Sequence, residues 1–209
     1  MLTYVHKEMT SEALSTCVSR SALEIITAAN IKQDSLSGQF GHDEYHFDNN
    51  AFDKSYRYIN EQRGFILAAL LSPGVLSAWI AFGKLIHTVQ DFYAHSNYVS
   101  MWLDAHSNNG APPAPSEIDP VQKDLLESPS LHSSKVYFPM DMFYFIPPLR
   151  KISLALLPRD SHGWMNLDSP KQGFKFDYAR AAAIKRTIYE FGILEKLLTP
   201  EMLTKFTDI

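Results

Sequence analysis

Apolar residues recur every three or four positions through most of this chain. The spacing predicts four longer helices, over residues 9–32, 52–71, 75–103 and 176–198, and a shorter one over 121–127. Thr10 or Ser11 is a plausible N-cap for the first of them. No alternation of apolar and polar residues is long enough to predict a sheet. The pattern therefore indicates an all-α protein.

Three segments interrupt the helical pattern. Residues 35–50 are rich in glycine and polar side chains and predict an irregular loop, and residues 107–120 contain Asn-Asn-Gly and four prolines, which predict a long surface loop. Residues 139–158 are apolar and marked by proline. With 209 residues and 45% hydrophobic composition, we expect one domain, residues 1–209, folded as a helical bundle around one core.

Residues 64–83 carry no charged side chain, so this stretch is long enough to suggest a membrane span. Ser72-Pro73-Gly74 breaks the run, and Lys84 and His87 continue its second half with polar groups. The pattern favours a buried helical hairpin and predicts no transmembrane helix.

Charge and cysteine content narrow the functional classes. A formal net charge of -4 provides no basic surface for holding a nucleic-acid duplex by its phosphates. The single cysteine, Cys17, excludes an internal disulfide. The first residues lack the basic and apolar regions of a secretory leader. We expect a cytoplasmic protein, or one exported without a leader.

The segment with the clearest chemistry is His87-Thr-Val-Gln-Asp91-Phe-Tyr-Ala-His95. Its two histidines and its aspartate stand four residues apart, so a helix places all three on one face. Their neighbours are apolar, and a buried charge normally needs a partner or a metal. Imidazole and carboxylate are zinc ligands, and Asp91 is placed to bridge two ions. The segment predicts a metal site.

Other candidate ligands are weaker by themselves. The loop after the first helix holds His42, Asp43, His46 and Asp48, with Asp34 just before it. Polar loops collect such residues without binding metal. A second group, His162 with Asn166 and Asp168, also fits a turn before the last helix, and His6 is isolated.

Taken in order, these pieces resemble the HET-C-like proteins, which are grouped with zinc-dependent phospholipases C and single-strand nucleases. The resemblance rests on the segment from His87 to Val99 and extends to His6, to Ala29-Asn30 with Asp34, to His46-Phe47-Asp48-Asn49 and to the group at 162–168. It implies an all-α bundle of the phospholipase C type with two or three zinc ions that hydrolyses a phosphodiester.

The resemblance also implies roles for individual residues. One zinc would be held by Asp34, His46, His87 and Asp91. A second would be held by His95 and His162 with Asp168 or Asn166, and a third by His6 and Asp91. Clustered zinc lowers the pKa of water towards about 7. Asp34 is the candidate to orient or deprotonate that water, and Asp34 and Asp91 are the expected catalytic residues.

The chain departs from the pattern of these families at two places. Met1 and Tyr4 stand where the secreted enzymes have a processed, tryptophan-started terminus that binds metal. Ser100 stands where HET-C-like sequences commonly have glutamate. Both departures leave open a non-catalytic interaction module with a structural or degenerate metal site.

Two other metal-dependent enzyme classes fit the sequence less well. The pair His42-Asp43 suggests an HD-type phosphohydrolase, which would leave the segment at 87–95 unexplained. A di-iron bundle needs two Glu-x-x-His motifs, and the chain has none. The expected partner is a phospholipid or another phosphodiester of undetermined head group. The stretch beginning at Tyr144 is a candidate rim for peripheral membrane contact.

Overall fold

The computed structural model describes residues 1–35, 38, 41–107, 111–144 and 146–209. Within those residues the chain forms α-helices and short 3-10 turns and no β-strand, which confirms the predicted all-α class. The helices are α1 (Thr3–Leu14), α2 (Arg20–Lys32), α3 (Asp43–His46), α4 (Phe52–Leu70), α5 (Leu76–His95), α6 (Tyr98–His106), α7 (Lys123–Leu126), α8 (Met140–Tyr144), α9 (Arg150–Leu156), α10 (His162–Met165), α11 (Lys175–Leu197) and α12 (Pro200–Thr207).

Helix α5 lies at the centre of the fold. It packs against α2, α4 and α11, and every residue from Leu85 to His95 is buried. A helix surrounded on all sides buries its whole circumference, so the polar side chains in this segment need partners inside the protein. No helix in the described part of the chain is long and apolar enough to cross a membrane, as predicted.

Gly83 allows α2 and α5 to approach closely. A β-carbon at this position would lie 2.7 Å from Ala29 Cβ and 3.0 Å from the backbone nitrogen of Asn30, and it would collide with the carbonyl of Ile26. Glycine is the residue that permits such backbone contact. The approach brings the end of α2 beside the polar half of α5.

The predicted helix over residues 9–32 is wrong in two respects. It is two helices, separated at residues 15–19, and the first begins at Thr3 rather than near Thr10. Ser19 ends the interruption because its backbone is extended and its hydroxyl accepts a hydrogen bond from Ala22 N at 3.1 Å. Serine is favoured at this N-cap position. The apolar spacing continued across the break because α1 and α2 both face the same core.

The predicted helix over 75–103 also divides. Ser96 has an extended backbone, its hydroxyl donates to Phe92 O at 2.6 Å, and Asn97 N bonds His132 O at 3.0 Å. Short polar side chains of this kind compete with helical hydrogen bonds. The break lets residues 132–136 pack against the end of α5, where His95 stands.

The segments outside the predicted helices contain some regular structure. Residues 35–50 include α3 and a 3-10 turn at Asp48–Asn50, and residues 139–158 include α8 and α9. In the predicted loop at 107–120, Pro115–Glu117 is a 3-10 turn, whereas 108–110 lie outside the described residues. Helix α12 was not predicted. It begins after Thr199, whose hydroxyl accepts a hydrogen bond from Met202 N.

Candidate metal centre

The fold brings together all eight residues that the sequence suggested as metal ligands. Helix α5 supplies three of them from its buried C-terminal half, and five other parts of the chain supply the rest. The eight are His6 on α1, Asp34 after α2, His46 on α3, His87, Asp91 and His95 on α5, His162 on α10, and Asp168 after α10. They form two adjacent groups.

The first group surrounds Asp91. Its Oδ1 lies 3.2 Å from His6 Nε2, and its Oδ2 lies 3.1 Å from His87 Nε2. Asp34 faces the same two histidines at 3.8 Å from each Nε2. Donor atoms of these four side chains all lie within 4.8 Å of one another, close enough to hold a metal ion. Asp34 is the most exposed member, with 16% of its side chain accessible.

His46 joins the first group from the other side of Asp91. Its Nδ1 lies 2.8 Å from Asp91 Oδ2 and 3.2 Å from His87 Nε2, while its Nε2 lies 3.3 Å from the carbonyl oxygen of Gly38. Burial lowers the pKa of His46, but the hydrogen bond and the charge of Asp91 outweigh it and raise the pKa above its usual value. Asp91 is therefore in contact with three histidines.

Buried amides orient two of these histidines. His6 Nδ1 lies 2.7 Å from Gln90 Oε1, and His87 Nδ1 lies 3.2 Å from Asn30 Oδ1. An amide oxygen only accepts, so both rings donate from Nδ1, and the Nε2 atoms of both rings face Asp34 and Asp91. Burial also lowers the pKa of His87 to about 4, which keeps it neutral. Neutral imidazole with a fixed second nitrogen is the usual state of a metal ligand.

The amide network continues to the outer helices. Asn30 Nδ2 donates to Gln90 Oε1 at 3.0 Å and to Thr10 Oγ1 at 3.2 Å, and Gln90 Nε2 donates to Thr187 Oγ1 at 3.0 Å. The network thus ties α1, α2, α5 and α11 together beneath the first group. The sequence marks Asn30 only as part of a motif and gives no role to Gln90. The role of both amides depends on which helices meet in the folded protein.

The second group is formed by Asp48, His95 and His162, whose donor atoms also lie within 4.8 Å of one another. Asp48 Oδ1 lies 3.6 Å from His95 Nδ1 and 3.5 Å from His162 Nδ1. Asp168 approaches from the opposite side, 3.1 Å from His95 Nε2 and 3.7 Å from His162 Nε2. Burial raises the pKa of both aspartates, but neighbouring positive charge outweighs this effect and lowers both pKa values. For Asp48 the charge comes from the facing histidines. For Asp168 it comes from the Met1 amino group and from the same histidines.

The structure distinguishes Asp168 from Asn166, which the sequence left as alternative metal ligands. Asn166 Nδ2 donates to the carbonyls of His162 and Gly163, at 2.8 and 3.0 Å, and its Oδ1 accepts from Gln172. Asn166 thus stabilises the turn, and Asp168 faces the histidines. Asp48 was noted in the sequence but not assigned as a ligand.

Asp48 reaches the second group because the chain turns sharply around it. Phe47, Asn49 and Asn50 have φ values of 58°, 54° and 56°, in the left-handed region that asparagine tolerates better than most residues. Ser134 Oγ donates to Asp48 Oδ1 at 2.6 Å and so orients the carboxylate. The spacing of residues does not predict this turn. The only signal for it is residue type, namely the two consecutive asparagines after Asp48.

The buried carboxylates create an environment that favours a cation. The α-amino group of Met1 contacts Asp91 Oδ1 and lies 3.4 Å from Asp168 Oδ1, between the two groups. Burial lowers its pKa, but Asp91, Asp168 and Asp34 outweigh this effect and raise the pKa to about 11. His6 Nε2 is buried without a well-formed hydrogen bond. Carboxylates that face imidazoles are a suitable donor set for a divalent metal.

Other candidates from the sequence lie outside these groups. His42 bonds Glu44 at 3.0 Å and stacks on Tyr45, and Asp43 accepts from Asn49 at 2.9 Å. The pair that suggested an HD-type enzyme therefore makes local contacts. Ser100 accepts a hydrogen bond from Lys175 Nζ at 2.8 Å.

Replacing Gln90 by leucine should weaken metal binding without removing any ligand. His6 would lose the acceptor that fixes its ring, and losses of this kind usually cost about 10–100-fold in metal affinity. Competition titration with a chromophoric zinc chelator would measure the change. Gln62, a buried glutamine on α4 outside both groups, provides the control Gln62→Leu. Equal zinc affinity in wild type and the Gln90 variant would refute the positioning role.

Comparison with known families corrects the resemblance drawn from the sequence. A model of the VWA7 N-terminal domain matches residues 2–115, and no curated protein or solved structure matches the chain. The assignment to HET-C-like proteins, and through them to the phospholipase C and nuclease group, is therefore wrong. That resemblance was carried by short segments of metal-ligand type, which unrelated families can share because the chemistry of the ligands demands them.

The matched region contains the whole first group together with Asp48 and His95. His162 and Asp168 lie beyond it, so the second group is completed by residues outside the match. The match spans more than half of the sequence. The chain belongs to the VWA7 N-terminal domain family.

Proposed function

We propose that this chain binds at least two zinc ions in its two adjacent His/Asp groups and hydrolyses a phosphodiester. The observation that carries the proposal is the convergence of five histidines and four aspartates, from seven parts of the chain, on one mostly buried centre. Isolated charges are expensive to bury, and the four aspartates of this centre carry more negative charge than the Met1 amino group alone balances. Nine donors suffice for two ions, since a closed zinc site uses four protein ligands and a catalytic one uses three and keeps a position open for water.

Zinc fits the donor set better than the common alternatives. Magnesium and calcium favour sites made of oxygen atoms, whereas each group here offers two or more imidazole nitrogens. His6, His87, Asp34 and Asp91 would hold one ion, with His46 on the far side of Asp91. Asp48, His95 and His162 would hold another, with Asp168 beside them.

Zinc ions bound there would supply Lewis acidity towards a phosphoryl oxygen and would make a nearby water more acidic. The protein would contribute orientation and proton transfer. Asp34 is the proposed proton acceptor because its carboxylate is the most accessible of the first group and lies farther from the histidines than Asp91 does. Asp91, enclosed by three histidines, would hold its position.

Elemental analysis of the purified full chain, followed by a substrate panel, tests this proposal. We expect two or more zinc ions per chain and hydrolysis of at least one phosphodiester among bis(p-nitrophenyl) phosphate, single-stranded DNA and phosphatidylcholine. Dipicolinate should abolish the activity and added zinc should restore it. A metal-loaded protein with no activity on the panel would support a binding module instead, and a chain without zinc would refute both parts of the proposal.

A further inference from the structure

Helix α9 exposes an apolar face that nothing in the described structure covers. Ile152 and Leu156 are 61% and 67% exposed, and Leu149, one turn earlier on the same face, is also exposed. Ser153, a polar residue, is buried instead and donates to Met140 O at 2.6 Å. A surface helix normally turns its apolar residues inward. The reversed orientation indicates a surface built to contact something apolar.

This face continues onto neighbouring segments. Phe138 is 71% exposed, and Met142, Ile146 and Trp164 are exposed as well. Trp164 Nε1 donates to Leu154 O at 3.0 Å, which fixes the indole against the end of α9. We call this set the apolar rim, consisting of Phe138, Met142, Ile146, Leu149, Ile152, Leu156 and Trp164. Large apolar side chains exposed together on segments that pack against one another mark an interaction site more often than single exposed ones do.

The charges around the apolar rim are mainly positive, although the whole chain is acidic. Residues 134–164 contain four basic and two acidic side chains, against a net charge of -4 for the chain. One acid, Asp141, is buried, and the other, Asp160, pairs with Lys135 at 2.9 Å. Arg150, Lys151 and Arg159 are exposed.

Arg159 and Trp164 form a pair typical of a membrane interface. The guanidinium lies 3.8 Å from the centre of the indole ring. Tryptophan and arginine both place an apolar body beside a polar head, and both are favoured at the level of lipid head groups. Exposed aliphatic side chains flanked by cations bind a bilayer by inserting the first and attracting anionic lipids with the second.

We propose that the apolar rim docks this chain on a lipid surface that carries anionic head groups. Trp164 stands two residues from His162 on α10, so docking would bring lipid next to the second group of the metal centre. Asp141 strengthens this link because its carboxylate accepts hydrogen bonds from Gly163 N and Tyr137 N, at 2.9 and 2.6 Å. The inference rests on the proposed function only in so far as the docked lipid is also the phosphodiester that the metal centre hydrolyses.

Vesicle flotation with the full chain tests the docking. Vesicles of phosphatidylcholine alone are compared with vesicles containing about 30% phosphatidylserine, a composition chosen to give a strongly anionic surface. We expect binding to the anionic vesicles that falls at least about tenfold in the double variant Ile152→Ser/Leu156→Ser. The charge variant Arg150→Glu/Lys151→Glu should lose binding to anionic vesicles and keep little preference between the two compositions.

Leu71→Ser is the matched control, because Leu71 is 77% exposed at the end of α4, outside the apolar rim. It should bind vesicles as wild type does. Failure of wild type to float with either vesicle, or equal binding by the Ile152/Leu156 variant, would overturn the proposal. So would a stable dimer in solution that only this variant dissociates, since a second copy would then cover the rim.

Zinc content and hydrolysis of bis(p-nitrophenyl) phosphate keep this test separate from that of the proposed function. Both should be unchanged in the rim variants, because none of the substituted residues contacts the metal centre. Loss of vesicle binding with intact zinc content and hydrolysis supports docking. Normal flotation by a chain that holds no zinc and hydrolyses nothing would retain the docking and refute the proposed function.

Discussion

The variant Asp91→Asn is expected to lose most of its bound zinc and all measurable phosphodiesterase activity. Asp91 lies 2.8 to 3.2 Å from nitrogens of His6, His46 and His87, and its carboxylate is fully buried. An amide keeps the shape but removes the negative charge and one acceptor oxygen. The loss should therefore exceed the roughly 10–100-fold that follows removal of an outer partner of a metal ligand. Zinc per chain and the initial rate of hydrolysis measure it.

Two further variants make this result specific. Asp104→Asn applies the same change to an exposed aspartate on α6 and should leave both readouts at wild-type values. His95→Ala removes a ligand of the second group and should also abolish activity, while the first group keeps its four ligands. A folded Asp91→Asn protein that is poor in zinc but fully active would refute the mechanism.

The second large effect is expected from Gly83→Ala, although the residue is not a metal ligand. The added methyl group would overlap the backbone of α2 at Ile26 and lie 2.7 Å from Ala29 Cβ. Overpacking usually costs about 1–3 kcal/mol, and the upper end applies here because helix backbone cannot move aside as a side chain can. Chemical denaturation should show a lower free energy of unfolding. Zinc affinity should fall as well, since α2 carries Asn30 and leads to Asp34.

Gly64→Ala is the matched control for that experiment. Gly64 lies on α4, is exposed, and a β-carbon there would meet no atom within 4 Å. Alanine in an open helical position should stabilise the protein by about 0.5–1 kcal/mol. The two glycines should thus respond with opposite signs. Destabilisation of equal size in both variants would contradict the prediction, because helix propensity favours alanine at both positions and only the close packing of α2 on α5 distinguishes Gly83.

Local rules predicted the helices better than their ends. Apolar spacing identified α4, α5 and α11 because each keeps one register against the core along its length. It merged α1 with α2, and α5 with α6, because the spacing carries on through a short break. Ser19 and Ser96 cause those breaks by hydrogen bonding to the backbone. A serine within an apolar pattern can either continue a helix or interrupt it in this way, and the pattern does not show which.

The ligands of the metal centre that lie on one helix were easier to predict than those that other segments supply. His87, Asp91 and His95 share one helix, so their spacing alone places them on one face. His6, Asp34, His46, His162 and Asp168 were recognised through a resemblance to another family, which the comparisons correct. Even so, the structure brings all five beside the α5 residues. Asp48 was not assigned, because its position depends on a turn with three left-handed residues.

The sequence by itself determined the helical class, the central buried helix and the line of candidate ligands along it, since these follow from the 3.6-residue period of one element. Only the tertiary structure decided which partners surround that line. Asn30 and Gln90 fix the histidine rings, Asp48 completes the second group, and Gly83 sets the distance between α2 and α5. Each of these roles arises where separate elements meet in space, and residue spacing within one element carries no information about such a meeting.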